Sequence, residues 1–516
     1  MKRDSNIILT GHALCLTDVA RIADGARVIL SPEGLERAAA GHAVLLGGME
    51  GGSEIYGTTS MVGAFKDCDI PADDGTAYAR RLLRSHALGV GPDFGVRTVR
   101  AAMAIRLNGI LSGRTGASPA LATALCNLLN ARITPVVRMY GSIGCADVGL
   151  MSHVGQVLLG EGNVTTPEHE GVEPALSALR RHGLSPVVPG PKDMMTILSS
   201  NALSVATAAL AVSDLRASLP LGLGVYALAC AGFAAFRTPW QAAHANGTVA
   251  EKRVSAFLMH ATRKDDWNSR GHIQDPLSFR CLPQIAGALL SALLRAQAAL
   301  DHAFNHCDDN PLVVDGQILT SGASLPLELT LDIQMLSQAV AHYARGSMGR
   351  ILVMCRDDLS GLPRNLTLLA GHDIAFGAAT KLAADLTMRI MREGTPASLY
   401  QVPVANGVED EATNLSLIGQ ALELQAALLQ RLIAQEAVTA FQAVHLSGHA
   451  DSLHGLAGLL HGRLAGRIGP VNDLIPLCDV FEAAREVLFS TETAASCPSS
   501  LLFGSDGIIE EQHENA

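Results

Sequence analysis

Tyr56 lies in the glycine-rich stretch EIYGTTSMVGAF, Arg280 in IQDPLSFRCLPQIAG, Lys381 in GHDIAFGAATKLAADL and Glu409 in ANGVEDEATN. A phenol ionises near pH ~10, so Tyr56 can act as a base near neutrality only if a nearby cation pulls its pKa down. The planar guanidinium of Arg280 suits bidentate capture of a carboxylate. Lys381 stands among Ala and Leu in a helical stretch, where a charge is costly unless paired or used; a snorkelling lysine is the alternative. Glu409 can serve either a pocket or the N-terminus of the helix that follows. His86, in LRSHALGVG, can bond a loop carbonyl, and Asn201, in ILSSNALS, reads as a mid-helix core amide satisfied by backbone.

The elements that must position these groups are mostly helical. Val99, Met103, Leu107 and Ile110 share one face of a helix ending near Gly113. Asp147 is placed to cap a helix running to Gly160, whose positive end would face the Gly144–Cys145 turn. Residues 26–30 read as a short strand, and a Gly-rich loop opens at Gly47. Beyond residue 191, long Ala/Leu helices are expected over roughly 191–218, 221–236, 283–306, 325–350, 367–393 and 411–445, separated by short Gly, Pro and Asn punctuation. This predicts a mixed N-terminal region with active-site loops over 1–190 and a long-helix bundle domain over 191–516.

Of the 516 residues 4% are aromatic and 17% charged, a composition that implies surface buried between copies. A net charge of −11 without a basic block excludes a nucleic-acid partner. Ten cysteines without CxxC pairing, and an N-terminus lacking an apolar signal core, read as a cytoplasmic protein with reduced thiols. Residues 219–236 approach membrane-span length, but Pro220 and many Gly and Ala favour a close-packed buried helix. The acidic tail, 505–516, is expected to fray.

Residues 135–162, PVVRMYGSIGCADVGLMSHVGQVLLGEG, together with the segments above in the same order, resemble the histidine and phenylalanine ammonia-lyase family. There a GSxGASGD motif cyclises its Ala-Ser-Gly into methylidene-imidazolone (MIO), an electrophile that activates the poor amine leaving group covalently. Here only Cys145 and Ala146 separate Gly144 from Asp147, with no Ser and no following Gly. The resemblance spans roughly residues 5–480 and implies a mainly α, fumarase/aspartase-like long-helix bundle assembled as a homotetramer with shared sites. It implies Tyr56 as the β-proton base, His86 near the substrate ring, and Arg280 on the carboxylate with Asn201 and Gln274 assisting. Glu409 would stand beside an imidazole. Leu277 replaces a family tyrosine, and SGASLP at 321–326 replaces SGGNFH.

Without MIO the substrate must bring its own leaving group, and a quaternary trimethylammonium departs as a neutral amine. The resemblance therefore implies a cofactor-free, metal-free carbon–nitrogen lyase of the MIO-less branch, taking trimethylamine from ergothioneine to give thiourocanate. Lys381 would pair with the sulfur and Glu409 accept a ring N–H, with the trimethylammonium near Tyr56 or Asp147. Two other readings stand: an MIO-dependent histidine ammonia-lyase in which Gly144-Cys145-Ala146 cyclises, giving urocanate, and an inactive homologue that binds or regulates.

Overall fold

The computed structural model describes residues 6–71, 75–267, 269, 273–369, 374–471 and 475–504. The tail expected to fray, 505–516, lies outside them. The chain forms two compact units. The first gathers Met1–Ser213, Ala296–Gln334 and Pro396–Gln420; the second gathers Asp214–Arg295, Met335–Thr395 and Ala421–Ala516. All of 1–190 belongs to the first unit, yet a cut there does not separate the two. Long helices such as Ala202–Phe233 and Leu415–Ser447 run past the boundaries, and the chain returns twice to the first unit.

In the first unit the helices Pro32–Glu50 and Pro119–Asn130 both open on a serine followed by proline. Ser31 accepts the Gly34 N–H and Ser118 the Leu121 N–H, so each start is fixed locally. Helix Pro32–Glu50 continues through Gly47 and Gly48, so the loop carrying Tyr56 begins at Gly51 rather than Gly47. Helix Val96–Leu111 bears out the expected apolar face and is buried along almost its whole length. Small sheets tie the unit's edges. Ile7–Leu9 pairs in parallel with Val28–Leu30, and Val90–Asp93 pairs antiparallel with Arg138–Tyr140. Asn163–Thr166 lies between Thr134–Pro135 and His169–Pro174.

A buried ionic cluster fastens the returning segment to this unit. Arg106 bonds Asp308 at 3.0 Å and Asp309 at 2.7 Å, and Lys192 reaches Asp309 at 3.1 Å. Removing either sign would strand its partners, since an unpaired buried charge is strongly destabilising.

The second unit is built from apolar helices. Arg350 meets Glu436 through Nε and Nη2 at 2.5 and 2.9 Å, and the Ser347 hydroxyl donates to the same carboxylate at 2.5 Å. The Tyr226 hydroxyl donates to the Phe279 carbonyl at 2.9 Å and accepts from Trp240 Nε1 at 2.9 Å. Residues 191–236 differ from the expected pair of helices. Pro220 sits inside the single helix Ala202–Phe233, and the break falls at 199–201 instead. Burial on both sides of Pro220 outweighs the one N–H it removes from the ladder. Of the stretch expected at 367–393, residues 370–373 lie outside the described residues; among the described ones the α-helix covers Ala379–Glu393, after short 3-10 turns at Arg364–Leu366 and Ala375–Gly377. Within Asp193–Phe233 an 18-residue run is apolar enough to cross a membrane, but that run is wholly buried, as befits a core helix.

Candidate active site

Tyr56 is positioned by a loop folded on itself. The N–H groups of Thr58, Thr59 and Ser60 all reach the Ile55 carbonyl, and the Ile55 N–H donates to the Thr59 hydroxyl at 2.7 Å. Gly57 takes φ +67°, and a Cβ there would stand 2.7 Å from Cγ of Met195, so only glycine lets the loop turn against Met195. The turn sends the Tyr56 side chain back toward Gly63, whose N–H donates to the phenolic oxygen at 3.0 Å.

That oxygen borders a cavity of about 600 Å³ whose wall includes Asp69, Tyr78, Arg81, His86 and Glu409. The Gly63 N–H favours the phenolate, but burial raises the Tyr56 pKa, and the nearby Glu409 and Cys145 push the same way. The expected cation beside Tyr56 is thus corrected: the charge that bears on it is negative, whereas Arg81 acts on Tyr78.

His86 closes helix Gly75–His86 and lines this cavity. Its Nδ1 lies 2.8 Å from the Leu82 carbonyl, which can only accept, so Nδ1 carries a proton and donates it there. Glu409 comes to the cavity from a β-bridge with Val404, six residues ahead of helix Leu415–Ser447, so the helix N-terminal alternative falls away.

Tyr78 was not singled out from the sequence. It is 9% exposed, its hydroxyl is buried without a partner, and burial pushes its pKa up to about 12 with the Tyr56 charge adding to the rise. The signal was present: Tyr78, Leu82 and His86 recur every four residues along one helix, placing them on the face that lines the cavity.

The Gly144–Asp147 turn is clamped from several sides. Gly144 has φ +77°, and a Cβ would lie 2.5 Å from the Leu415 nitrogen; its carbonyl accepts from the Thr413 hydroxyl at 2.6 Å. Ala146, also at positive φ, donates its N–H to Asn201 Oδ1 at 3.0 Å and to the Ser324 carbonyl at 3.2 Å. Asn201 donates in turn to that carbonyl through Nδ2 at 2.9 Å, and its own N–H bonds Asp308 at 2.6 Å. Asn201 sits just before helix Ala202–Phe233 rather than inside it, and it holds the turn without lining the cavity.

Asp147 takes the position before helix Val148–Leu158, but its carboxylate does not cap that helix. It is 0% exposed, accepting from Ser142 at 2.7 Å and from the Ser204 hydroxyl and N–H at 2.5 and 2.8 Å. Burial raises its pKa against these bonds. It does not line the cavity beside Tyr56. Cys145 approaches Ser324 Oγ at 3.7 Å, and burial holds its thiol up and neutral.

Arg280 and Gln274 share a different cavity, of about 690 Å³, within the second unit, where Arg280 Nε is buried without a partner. Lys381 corrects the expectation of a charge inside an apolar helix. Ala379, Ala383, Leu386 and Ile390 form the buried side of Ala379–Glu393, and Lys381 is on the exposed side with Leu382, Met388 and Met391. All ten cysteines are free, and among the described residues no His, Cys, Asp or Glu cluster is placed to hold a metal.

Residues 14–461 match the family model described as aromatic amino acid lyase. The chain belongs to the aromatic amino acid lyase family. It is a carbon–nitrogen lyase with the family's mainly helical fold. A histidine ammonia-lyase from Streptomyces coelicolor is 31% identical over 94% of this chain and 98% of its own. Another, from Streptomyces avermitilis, is 30% identical over 90% and 93%. Among solved structures, ergothionase from Treponema denticola, an ergothioneine-degrading enzyme in complex with desmethyl-ergothioneine sulfonic acid, superposes with a TM-score of 0.90 at 27% identity, covering 95% of this chain and 99% of that one. Histidine ammonia-lyase from Trypanosoma cruzi, at 22% identity and a TM-score of 0.89 over 97% of both chains, shares the fold.

Proposed function

We propose that this lyase eliminates trimethylamine from ergothioneine, giving thiourocanate, and does so without MIO. The observation that carries the reading is the Gly144–Asp147 turn. Ring closure would join the Ala146 nitrogen to the Gly144 carbonyl carbon, and both groups are bonded elsewhere, to Asn201 and Ser324 and to Thr413. No serine supplies the methylidene carbon, and Ala146 carries a Cβ where the motif has glycine. These residues do not fit the group. A lyase without that electrophile needs a substrate whose nitrogen already leaves well, which agrees with the likeness to an ergothionase.

Tyr56 takes the β-proton; the C–H electron pair becomes the Cα–Cβ double bond, and the Cα–N bond breaks with its pair leaving on trimethylamine. Because Glu409 and burial hold the Tyr56 proton in place, the trimethylammonium of the substrate supplies the missing positive charge beside the phenol. Glu409 accepts a ring N–H. Arg280, its Nε buried and unpartnered in a separate cavity, takes the carboxylate with Gln274 at hand by facing the Tyr56 cavity of another copy, since the family's sites are shared between subunits. Asn201 and Asp147 are positioning residues that hold the turn. Lys381, on an exposed face rich in Leu and Met, pairs with the sulfur. That face is covered by another copy in the homotetramer the family implies. The enzyme is cytoplasmic and takes no cofactor.

The names of the sequence relatives favour histidine instead. Incubating the protein separately with ergothioneine and with histidine decides between them. Trimethylamine and the thiourocanate chromophore are expected from the first and nothing from the second. Ammonia and urocanate from histidine, without trimethylamine from ergothioneine, would overturn the reading.

A further inference from the structure

A cavity of about 250 Å³ in the first unit, lined in part by Asp24, Val96, Arg100, Arg132 and Thr134, shares no wall residue with the one beside Tyr56. Arg100 lies in helix Val96–Leu111 and is 3% exposed. Its Nε donates to the Ile22 carbonyl at 3.1 Å and its Nη1 to the Leu129 carbonyl at 2.9 Å. These bonds fix the plane of the guanidinium and leave Nη2 buried without a partner.

Both acceptors are neutral, so the charge is not balanced by them. The other charge acting on Arg100 is a second guanidinium, Arg132, which with burial as the larger cause pulls the Arg100 pKa down to about 10. The one acid on the wall, Asp24, is bonded to Arg97 Nε at 2.7 Å. The start of the helix adds to the same field. Val96, its first residue, is on the wall, and Gly95 before it offers no side chain to cap the first N–H groups.

A buried cation with free donors, faced by a like charge and a helix N-terminus, is unfavourable unless an anion completes it. We propose that this cavity binds a small tetrahedral oxyanion of the phosphate class, held between the Arg100 and Arg132 guanidiniums on its wall. The planar forks of two arginines match paired phosphate oxygens, and Arg132, at the exposed side, admits the ion.

Calorimetric titration of the full chain with inorganic phosphate at constant ionic strength tests this, with chloride as the control and acetate as the carboxylate arm. One saturable site per chain is expected for phosphate, with a Kd in the millimolar range or tighter, and none for chloride. Arg132→Ala, at an exposed position, should fold normally and weaken phosphate at least about tenfold, the loss of one charge-assisted bond. Arg100→Met should abolish binding; because its carbonyl bonds also serve the fold, Arg132→Ala carries the test if Arg100→Met does not fold. Phosphate should raise the thermal midpoint of the wild type and not of Arg132→Ala. No saturable heat up to about 10 mM phosphate, binding unchanged in Arg132→Ala, or acetate bound in preference to phosphate would each overturn the assignment.

Discussion

The side-chain oxygen of Asn201 accepts the backbone N–H of Ala146 at 3.0 Å, across 55 residues of sequence, and so occupies the nitrogen that ring closure at this turn would have to use. Intact mass should therefore equal that of the encoded chain, allowing for loss of the initiator Met, with no loss of water or hydrogen sulfide. A deficit confined to the peptide containing Cys145 would show that the turn cyclises after all.

Tyr56→Phe keeps the ring and removes the ionisable oxygen. Ergothioneine binding should persist while turnover drops by roughly 10² to 10⁴, the contribution of a general base. The pH profile has a definite sign. Burial first, then Glu409 and Cys145, raise the phenol's pKa, so its active basic form grows with pH. The ratio kcat/KM, which reports the free enzyme, should climb about tenfold per pH unit and not level before the ordinary phenol range. A bound trimethylammonium favours the phenolate, so kcat should level at lower pH than kcat/KM. A kcat/KM plateau near neutrality would assign the proton to another group.

Tyr78→Phe isolates the unpartnered hydroxyl on the cavity wall. Deleting a buried group that lacks a partner is nearly neutral or stabilising, so the thermal midpoint should stay or rise. If the bound substrate is the partner, affinity measured by calorimetry should drop about tenfold, the scale of one hydrogen bond. Unchanged affinity would leave Tyr78 as wall alone.

Lys381→Met tests the sulfur-pairing role. Because Lys381 is exposed in the chain, its loss should leave the fold unaltered, yet kcat/KM for ergothioneine should decline by roughly 10² to 10³. Turnover close to wild type would mark it as a solvated surface charge.

The long helices were legible because Ala and Leu recur over stretches too long for anything else, and the cavity residues Tyr56, His86 and Glu409 were legible from segments that resemble a family. The path through Pro220 was not, since the burial that carries the helix past it comes from residues distant in sequence. Asp147 and Asn201 stood in recognisable motifs, but the bonds they make did not show there: their partners, Ser204 57 residues away and Ser324 123 residues away, emerge only in three dimensions. Tyr78 fell outside every motif, although its spacing from His86 marked the face. The exposed place of Lys381 was hidden because a run of alanines does not say which side of a helix is covered.

The Gly144 turn also bears on ancestry. Two residues stand between Gly144 and Asp147 where the self-processing motif has three, so restoring the full motif at its own spacing takes an insertion and not substitutions alone. The inserted residue would have to fit a turn in which even a methyl on Gly144 would sit 2.5 Å from the Leu415 nitrogen and 2.6 Å from the Thr413 hydroxyl. On the proposed reading, regaining the electrophile would thus demand remodelling of 413–415 in the same event, and the shortened turn would act as an evolutionary ratchet: descendants would drift among substrates that bring their own leaving group far more readily than they would return to plain amino acids.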